Sequence, residues 1–239
     1  MGDILRTKNS QLKINIFDNV AFEYDSALPR HVSDYYLKKR IKFFAPYLSD
    51  NAKILDVGCG TGRIITSLSL RNKMFVCGCD ESLGMLKRIK KIDGIYINCC
   101  LAEEICFKSN TFDMIISVAV FHHLASEEIA FKTFNEMLRV AKKGARVIIW
   151  DANPLNPYWF VLFKKVPYDK DVKKILSYKK LIKEAEKFNV ENIKIIKKGW
   201  IPDFAPKRIL CLFRCLEYIF ERIPFIKLFS AHNVIVITK

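Results

Sequence analysis

The chain has 239 residues and a net charge of +15, from 40 Lys and Arg against 25 Asp and Glu. Apolar residues make up 51% and charged residues 27%, which excludes a disordered or fibrous chain. The length gives one large domain or two small ones, with core enough to fold without disulfides or metal.

The positive charge points to nucleic acid, an anionic membrane surface or an acidic substrate. A competing origin is codon bias, because 29 Lys beside 29 Ile is what AT-rich codons produce. No uncharged apolar run reaches about 18 residues, so no transmembrane helix is expected. The segment from Met1 to Arg6 lacks an apolar core and a cleavage site, so no signal peptide is expected. Arg6 also breaks the myristoylation pattern after Gly2. These features predict a cytoplasmic protein. The eight cysteines lie mostly in apolar runs and are expected to be reduced and buried. Cys77-Gly-Cys79 and Cys211-x-x-x-Cys215 are not zinc spacings, so no metal site is expected.

In chain order, residues 1–28 show no strong period. Residues 29–48 predict an amphipathic helix after Pro29. Lys53–Val57 predicts a buried strand, Gly58–Gly62 a loop and Arg63–Leu70 a helix. A second strand over Phe75–Cys79 ends at Asp80, and Ser82–Lys91 has helical spacing. Gly94–Asn98 and Asp113–Val118 predict strands three and four, and Glu127–Val140 a helix. Lys142–Ala145 reads as a turn and Arg146–Trp150 as strand five. Strands alternating with helices at this spacing predict an α/β, doubly wound parallel sheet covered on both faces.

Beyond Asp151, Asn153–Pro157 predicts a turn, Tyr178–Phe188 a helix and Asn192–Ile196 a strand. Lys207–Arg222 predicts an amphipathic helix ended by Pro224, and His232–Thr238 a last strand. With no repeat or linker, one domain is expected: a leader and helix over 1–48, a core over 49–151 and an acceptor-side region over 152–239.

The chemistry is carried by Asp56-Val-Gly58-Cys59-Gly60-Thr61-Gly62, between a strand and a helix. Glycines there allow a tight turn and close backbone approach to a ligand. The dinucleotide spacing G-x-G-x-x-G fails, because its third position is Arg63. The register that fits is Asp-x-Gly-x-Gly-x-Gly. Asp80, at the end of the next strand, can accept from both hydroxyls of a ribose.

These residues resemble the class I S-adenosylmethionine-dependent methyltransferases of the small-molecule type, over about residues 50–151. The resemblance rests on Leu55–Gly62, Gly78-Cys-Asp80 with Ser82, Met85-Leu86, Ala102-Glu103, Phe112-Asp113, His122-His123-Leu124 and Arg139–Gly144. Phe17–Ala21 and Tyr24-Asp25 resemble the segment that closes over the cofactor in quinone-type methyltransferases. The resemblance implies a seven-stranded Rossmann-like sheet of order 3-2-1-4-5-7-6, with strand 7 antiparallel and a helical insertion near the C-terminus. It implies S-adenosylmethionine as cofactor, held by Asp56, Gly58, Cys59, Gly60, Gly62, Asp80, Glu81, Leu101, Ala102 and Ser117. Leu101 stands where the family usually carries an acid facing the adenine amino group.

For catalysis, His123 is the candidate base or substrate-positioning group, and Tyr24 the candidate lid contact. The alternative for either histidine, His122 above all, is packing or capping of the loop, for Tyr24 a plain helix-flanking aromatic, and for Asn153 turn formation before Pro154. Trp150, Asp151 and Asn153 are candidates for the acceptor pocket. The function expected first is methyl transfer to a small or lipid-like acceptor by in-line displacement. The alternatives are an RNA (tRNA)-directed methyltransferase and a catalytically silent cofactor-binding protein. Residues 152–239 carry +10 and residues 1–151 carry +5, which places the excess on the acceptor side, toward an anionic membrane surface or RNA.

Overall fold

A computed structural model describes residues 16–70, 74–165, 177–188 and 190–239. The expectations for residues 1–15 lie outside these. One sheet runs through the molecule in the order β3-β2-β1-β4-β5-β7-β6. Its strands are β1 Lys53–Val57, β2 Phe75–Asp80, β3 Ile95–Cys99, β4 Phe112–Val118, β5 Ala141–Ala152, β6 Asn192–Lys198 and β7 His232–Thr238. β1 to β5 are parallel, and β7 runs antiparallel to both β5 and β6. The order and direction expected from the resemblance are those observed.

Strand alternation divides the core into two layers. Leu55, Val57, Ile115, Val147 and Ile149 pack on one face with Phe134 and Met137. Ile54, Met114, Ile116, Ile148 and Trp150 pack on the other with Phe44 and Ile65. The helices that cover these faces are α1 Arg30–Phe44, α2 Arg63–Ser69, α3 Leu83–Leu86, α4 Glu127–Val140, α5 Tyr158–Lys165, α6 Tyr178–Ala185, α7 Leu210–Phe220 and α8 Pro224–Lys227. α4 matches its sequence pattern end to end. Ser126 Oγ accepts from Ile129 N at 3.2 Å, with two glutamates in the first turn and Arg139 in the last. Such a cap contributes about 1 kcal/mol. Arg139 also donates to the carbonyls of Ile105 and Phe107, tying the loop after β3 to this helix.

Several expectations change. The turn expected at Lys142–Ala145 lies inside β5 as a bulge. Phe112 pairs with Ala141 and Met114 with Arg146, and Gly144 takes φ 77° in the extra loop of backbone. The helix expected over Ser82–Lys91 is only Leu83–Leu86, because the next bonds tighten to Arg88 N→Met85 O and Ile89 N→Leu86 O. The helix expected over Tyr178–Phe188 ends at Ala185.

The covering of the sheet is incomplete at its edges, where β3 is largely exposed and β6 half-buried. The cysteines are correspondingly less buried than expected. Cys59 and Cys79 are buried, whereas Cys99, Cys106, Cys211 and Cys215 are exposed.

The helix α5 was not expected. Asn156 Oδ1 accepts from Tyr158 N at 2.8 Å, and Pro157 follows it, which is a legible start signal of capping residue then proline. No helix of the described residues is long and apolar enough to cross a membrane.

Candidate functional site

Two cavities meet at the C-terminal ends of β1, β2 and β4. The first, of about 720 Å³ including its open mouth, is lined by Gly58, Gly60, Asp80, Glu81, Ala102 and Glu103 among others. The second, of about 1480 Å³ on the same measure, runs from Asp56 and the glycine loop toward Tyr36, Tyr158 and Trp159. They share Tyr24, Gly58, Gly60, Val118, Ala119 and His123.

The loop conformation explains its glycines. Gly58 has φ 72°, and a Cβ there would lie 2.4 Å from Val120 Cγ2. Gly60 has φ 53° and nothing within 4 Å of its absent Cβ, so its backbone faces open space. Gly60 N donates to Asp80 Oδ2 at 2.8 Å, and Ser82 N donates to Asp80 Oδ1 at 2.9 Å. Those two amides fix the carboxylate at the first cavity. Burial outweighs the amides and raises the Asp80 pKa.

Asp56 is buried, and its Oδ1 has no hydrogen-bond partner. Burial, then the charge of Asp80, pushes its pKa up to about 8. Arg40, from α1, lines the same cavity and has a buried Nε without a hydrogen-bond partner. A carboxylate and a guanidinium with open valences on one cavity suit the ammonium and carboxylate of an amino acid.

The leader closes the first cavity. Phe17 and Tyr24 line it, with their ring centroids 6.4 Å apart. Asp18 Oδ1 accepts from Ser82 Oγ at 2.6 Å and Gly84 N at 2.7 Å. Thr61 Oγ1 donates to Asp25 Oδ1 at 2.9 Å.

Of the residues singled out in the sequence, Gly58, Gly60, Asp80, Glu81 and Ala102 line the first cavity. Asp56 and Cys59 line the second, and Tyr24 and His123 line both. Gly62, Leu101 and Ser117 line neither. Gly62 makes room for Ile89, whose Cγ1 would stand 2.8 Å from a Cβ there. Leu101 is passed over between Cys100 and Ala102, which do face the first cavity. Ser117 is buried inside β4, and its neighbour Val118 reaches the cavities instead.

Trp150, Asp151 and Asn153 do not line the second cavity either. Trp150 is core. Asp151 holds Phe121 N and His122 Nδ1, each at 2.7 Å. Asn153 is fully buried, and its amide donates to the carbonyls of Leu228 and Ser230.

His122 stacks on Phe163 at 5.5 Å and its ring centroid lies 4.0 Å from that of His123. Sequence reasoning missed Arg40, which sits among surface-type residues of an amphipathic helix. It missed His232, which reads as the start of a strand and yet lines the second cavity. Burial, then Arg40 and Lys39, holds the His232 pKa well below the usual imidazole range, so the ring is neutral. It also missed Ala119, a non-glycine residue at φ 60° on the wall shared by both cavities.

Residues 55–149 match the family model described as a methyltransferase domain. A tRNA (carboxymethyluridine(34)-5-O)-methyltransferase of Arabidopsis thaliana is 33% identical over 127 residues, which are 53% of this chain and 30% of that protein. A probable tRNA methyltransferase 9B of Homo sapiens is 30% identical over 129 residues, 53% of this chain and 27% of that one. The chain thus spans under a third of the length of these curated relatives.

A SAM-dependent methyltransferase from Archaeoglobus fulgidus superposes with a TM-score of 0.67 at 18% identity, covering 91% of this chain and 99% of that one. The Haemonchus contortus phosphoethanolamine N-methyltransferase 2 bound to S-adenosyl-L-methionine superposes with a TM-score of 0.63 at 20% identity, over 93% and 57%. At such identities the solved structures show the fold. With the strand order and the glycine loop, residues 55–149 of the chain carry a methyltransferase domain on the fold of these solved S-adenosylmethionine-dependent methyltransferases.

Proposed function

We propose that this chain transfers a methyl group to a small or lipid-like acceptor held in the second cavity. The observation that carries this reading is the junction of the two cavities at Tyr24, Ala119 and His123. One side offers a ribose-binding acid, Asp80. The other offers an aromatic enclosure of Tyr36, Tyr158 and Trp159, suited to an acceptor with apolar surface.

S-adenosylmethionine supplies the activated methyl group. Asp80 would accept from its ribose hydroxyls, the Ala102 backbone would face its adenine, and Asp56 and Arg40 would take its ammonium and carboxylate. Orientation of acceptor against donor is then the main source of rate. His123 takes the acceptor's proton as methyl transfer proceeds. His122, hydrogen-bonded to Asp151, braces that ring.

A second reading, methyl transfer to tRNA, is favoured by the tRNA-directed activities named for the relatives and by the net charge of +15. Purified protein supplied with methyl-labelled cofactor and fractionated cell extract separates the two. Label in the lipid or small-molecule fraction is the expected outcome, and label confined to tRNA gives the second reading. Cofactor binding with no label transferred identifies a silent binding protein. With a labelled acceptor in hand, His123→Ala is expected to lower turnover about 10²-fold or more at unchanged cofactor affinity. Unchanged turnover removes His123 from the mechanism.

A further inference from the structure

The C-terminal cap carries an unusual surface. Within α7, Phe213 packs on Val32, Ile201 and Ala205. Glu217 is buried and accepts from Tyr35 Oη, Lys39 and Trp200 N. Glu221, one turn on, pairs with Lys39 and Lys198 and accepts from Gly199 N. The two acids between residues 207 and 229 are therefore both turned inward.

The outward ladder runs Arg208, Leu212, Cys215, Ile219, Arg222, at helical spacing of four and three, and all five are exposed. Beyond it, Phe225 is 81% exposed and Phe229 49%. The helix is thus apolar on both faces, with basic residues and no acid on the outside. That pattern fits neither a solvated helix nor a purely buried one.

This surface is joined to the acceptor cavity. The Asn153 amide holds the Leu228 carbonyl at 2.7 Å, and the Asn156 amide holds that of Phe229 at 2.7 Å. Asn156 also starts α5, whose Trp159 and Leu162 line the second cavity. On α5 itself, Phe160 is 60% exposed and Val161 50%.

We infer that the outer face of α7, α8 and α5 docks on an anionic lipid bilayer. The apolar side chains enter the acyl boundary, while Arg208 and Arg222 meet the headgroups. RNA offers charge but no apolar phase for Phe225 or Phe160, and a second copy of this basic face would repel the first. The inference goes beyond the acceptor reading and does not need it. Vesicle binding is measured without cofactor or acceptor, so the two readings fail separately.

The test is co-sedimentation of the full chain with vesicles of phosphatidylcholine alone or mixed with phosphatidylglycerol. Binding is expected to the mixed vesicles, to weaken with added salt, and to be far weaker on phosphatidylcholine alone. Phe225→Asp is expected to weaken binding about tenfold, in line with the apolar area lost. Arg208→Ser with Arg222→Ser is expected to weaken it similarly and to remove most of the salt dependence. Both changes sit at exposed positions, and circular dichroism with cofactor titration verifies that fold and cofactor site are intact. Three results overturn the inference: no binding to the mixed vesicles, equal binding by the variants, or a dimer of the wild type that Phe225→Asp dissolves without any vesicle binding.

Discussion

The cofactor side and the C-terminal cap leave opposite kinds of chemistry open. Around the glycine loop, apolar groups are buried and polar ones are left over: Asp56 Oδ1 and Arg40 Nε, both on the second cavity, have no hydrogen-bond partner. In the cap, Glu217, Glu221, Asn153 and Asn156 are all engaged, and the apolar groups are left over. Unpaired buried polar atoms cost free energy and persist where a polar ligand completes them. Exposed contiguous apolar surface points to an apolar partner instead. The difference teaches that one chain can carry two recognition problems solved by separate physics, one by directed hydrogen bonds and one by area.

That contrast is sharpest if each side fails without the other. The largest effect is expected in the cap. Glu217→Ala leaves the Tyr35 hydroxyl and Trp200 N without their acceptor and Lys39 with Glu221 alone, at a cost of about 3 kcal/mol. Thermal melting of this variant should drop, while cofactor affinity at a temperature where it is folded stays as in the wild type. A parallel loss of cofactor affinity would break the separation.

Next comes Asp80→Ala, which removes the acceptor for Gly60 N and Ser82 N and the proposed ribose contact. Calorimetric titration with S-adenosylmethionine should show affinity reduced about 100-fold, the scale of one or two charged hydrogen bonds. Wild-type affinity in this variant would remove Asp80 from the site.

The smallest effect concerns pH. The folded-state pKa of Asp56 is raised from 3.8 to about 8, so its protonated form is the one the free protein favours. Its contribution to stability is fully present below the unfolded pKa and is lost as pH rises to about 8. Melting temperature of the free wild type should therefore fall relative to Asp56→Asn across that window. The same variant should lose cofactor affinity, because an amide cannot supply the charge that the ammonium needs. Parallel pH profiles for the two proteins would show that Asp56 is ionised in the free state.

How much of this was legible in the sequence follows from range. The glycine loop, Asp80 and the strands β1, β4 and β7 announce themselves locally, because each depends on a short run of residue types. α4 was legible end to end because its cap, its apolar stripe and its final arginine agree. The β5 bulge was hidden because Gly144 reads as an ordinary turn, and only pairing with β4 and β7 makes it part of a strand. Gly62 and Ser117 resemble site residues by position, but packing on Ile89 and strand alternation turn them to other uses.

The sequence by itself determined the α/β alternation, the loop and the acid that follows it, since backbone freedom and apolar period are properties of neighbouring residues. It also located the basic excess in residues 152–239. Only the tertiary structure decided that Arg40 and Asp56, 16 positions apart, face one cavity. Only it turned both cap acids inward, toward Lys39 of α1 and Lys198 of β6, and left Arg208, Arg222, Phe225 and Phe229 outside. Which side of a helix is covered depends on elements distant in sequence, and no local pattern carries that information.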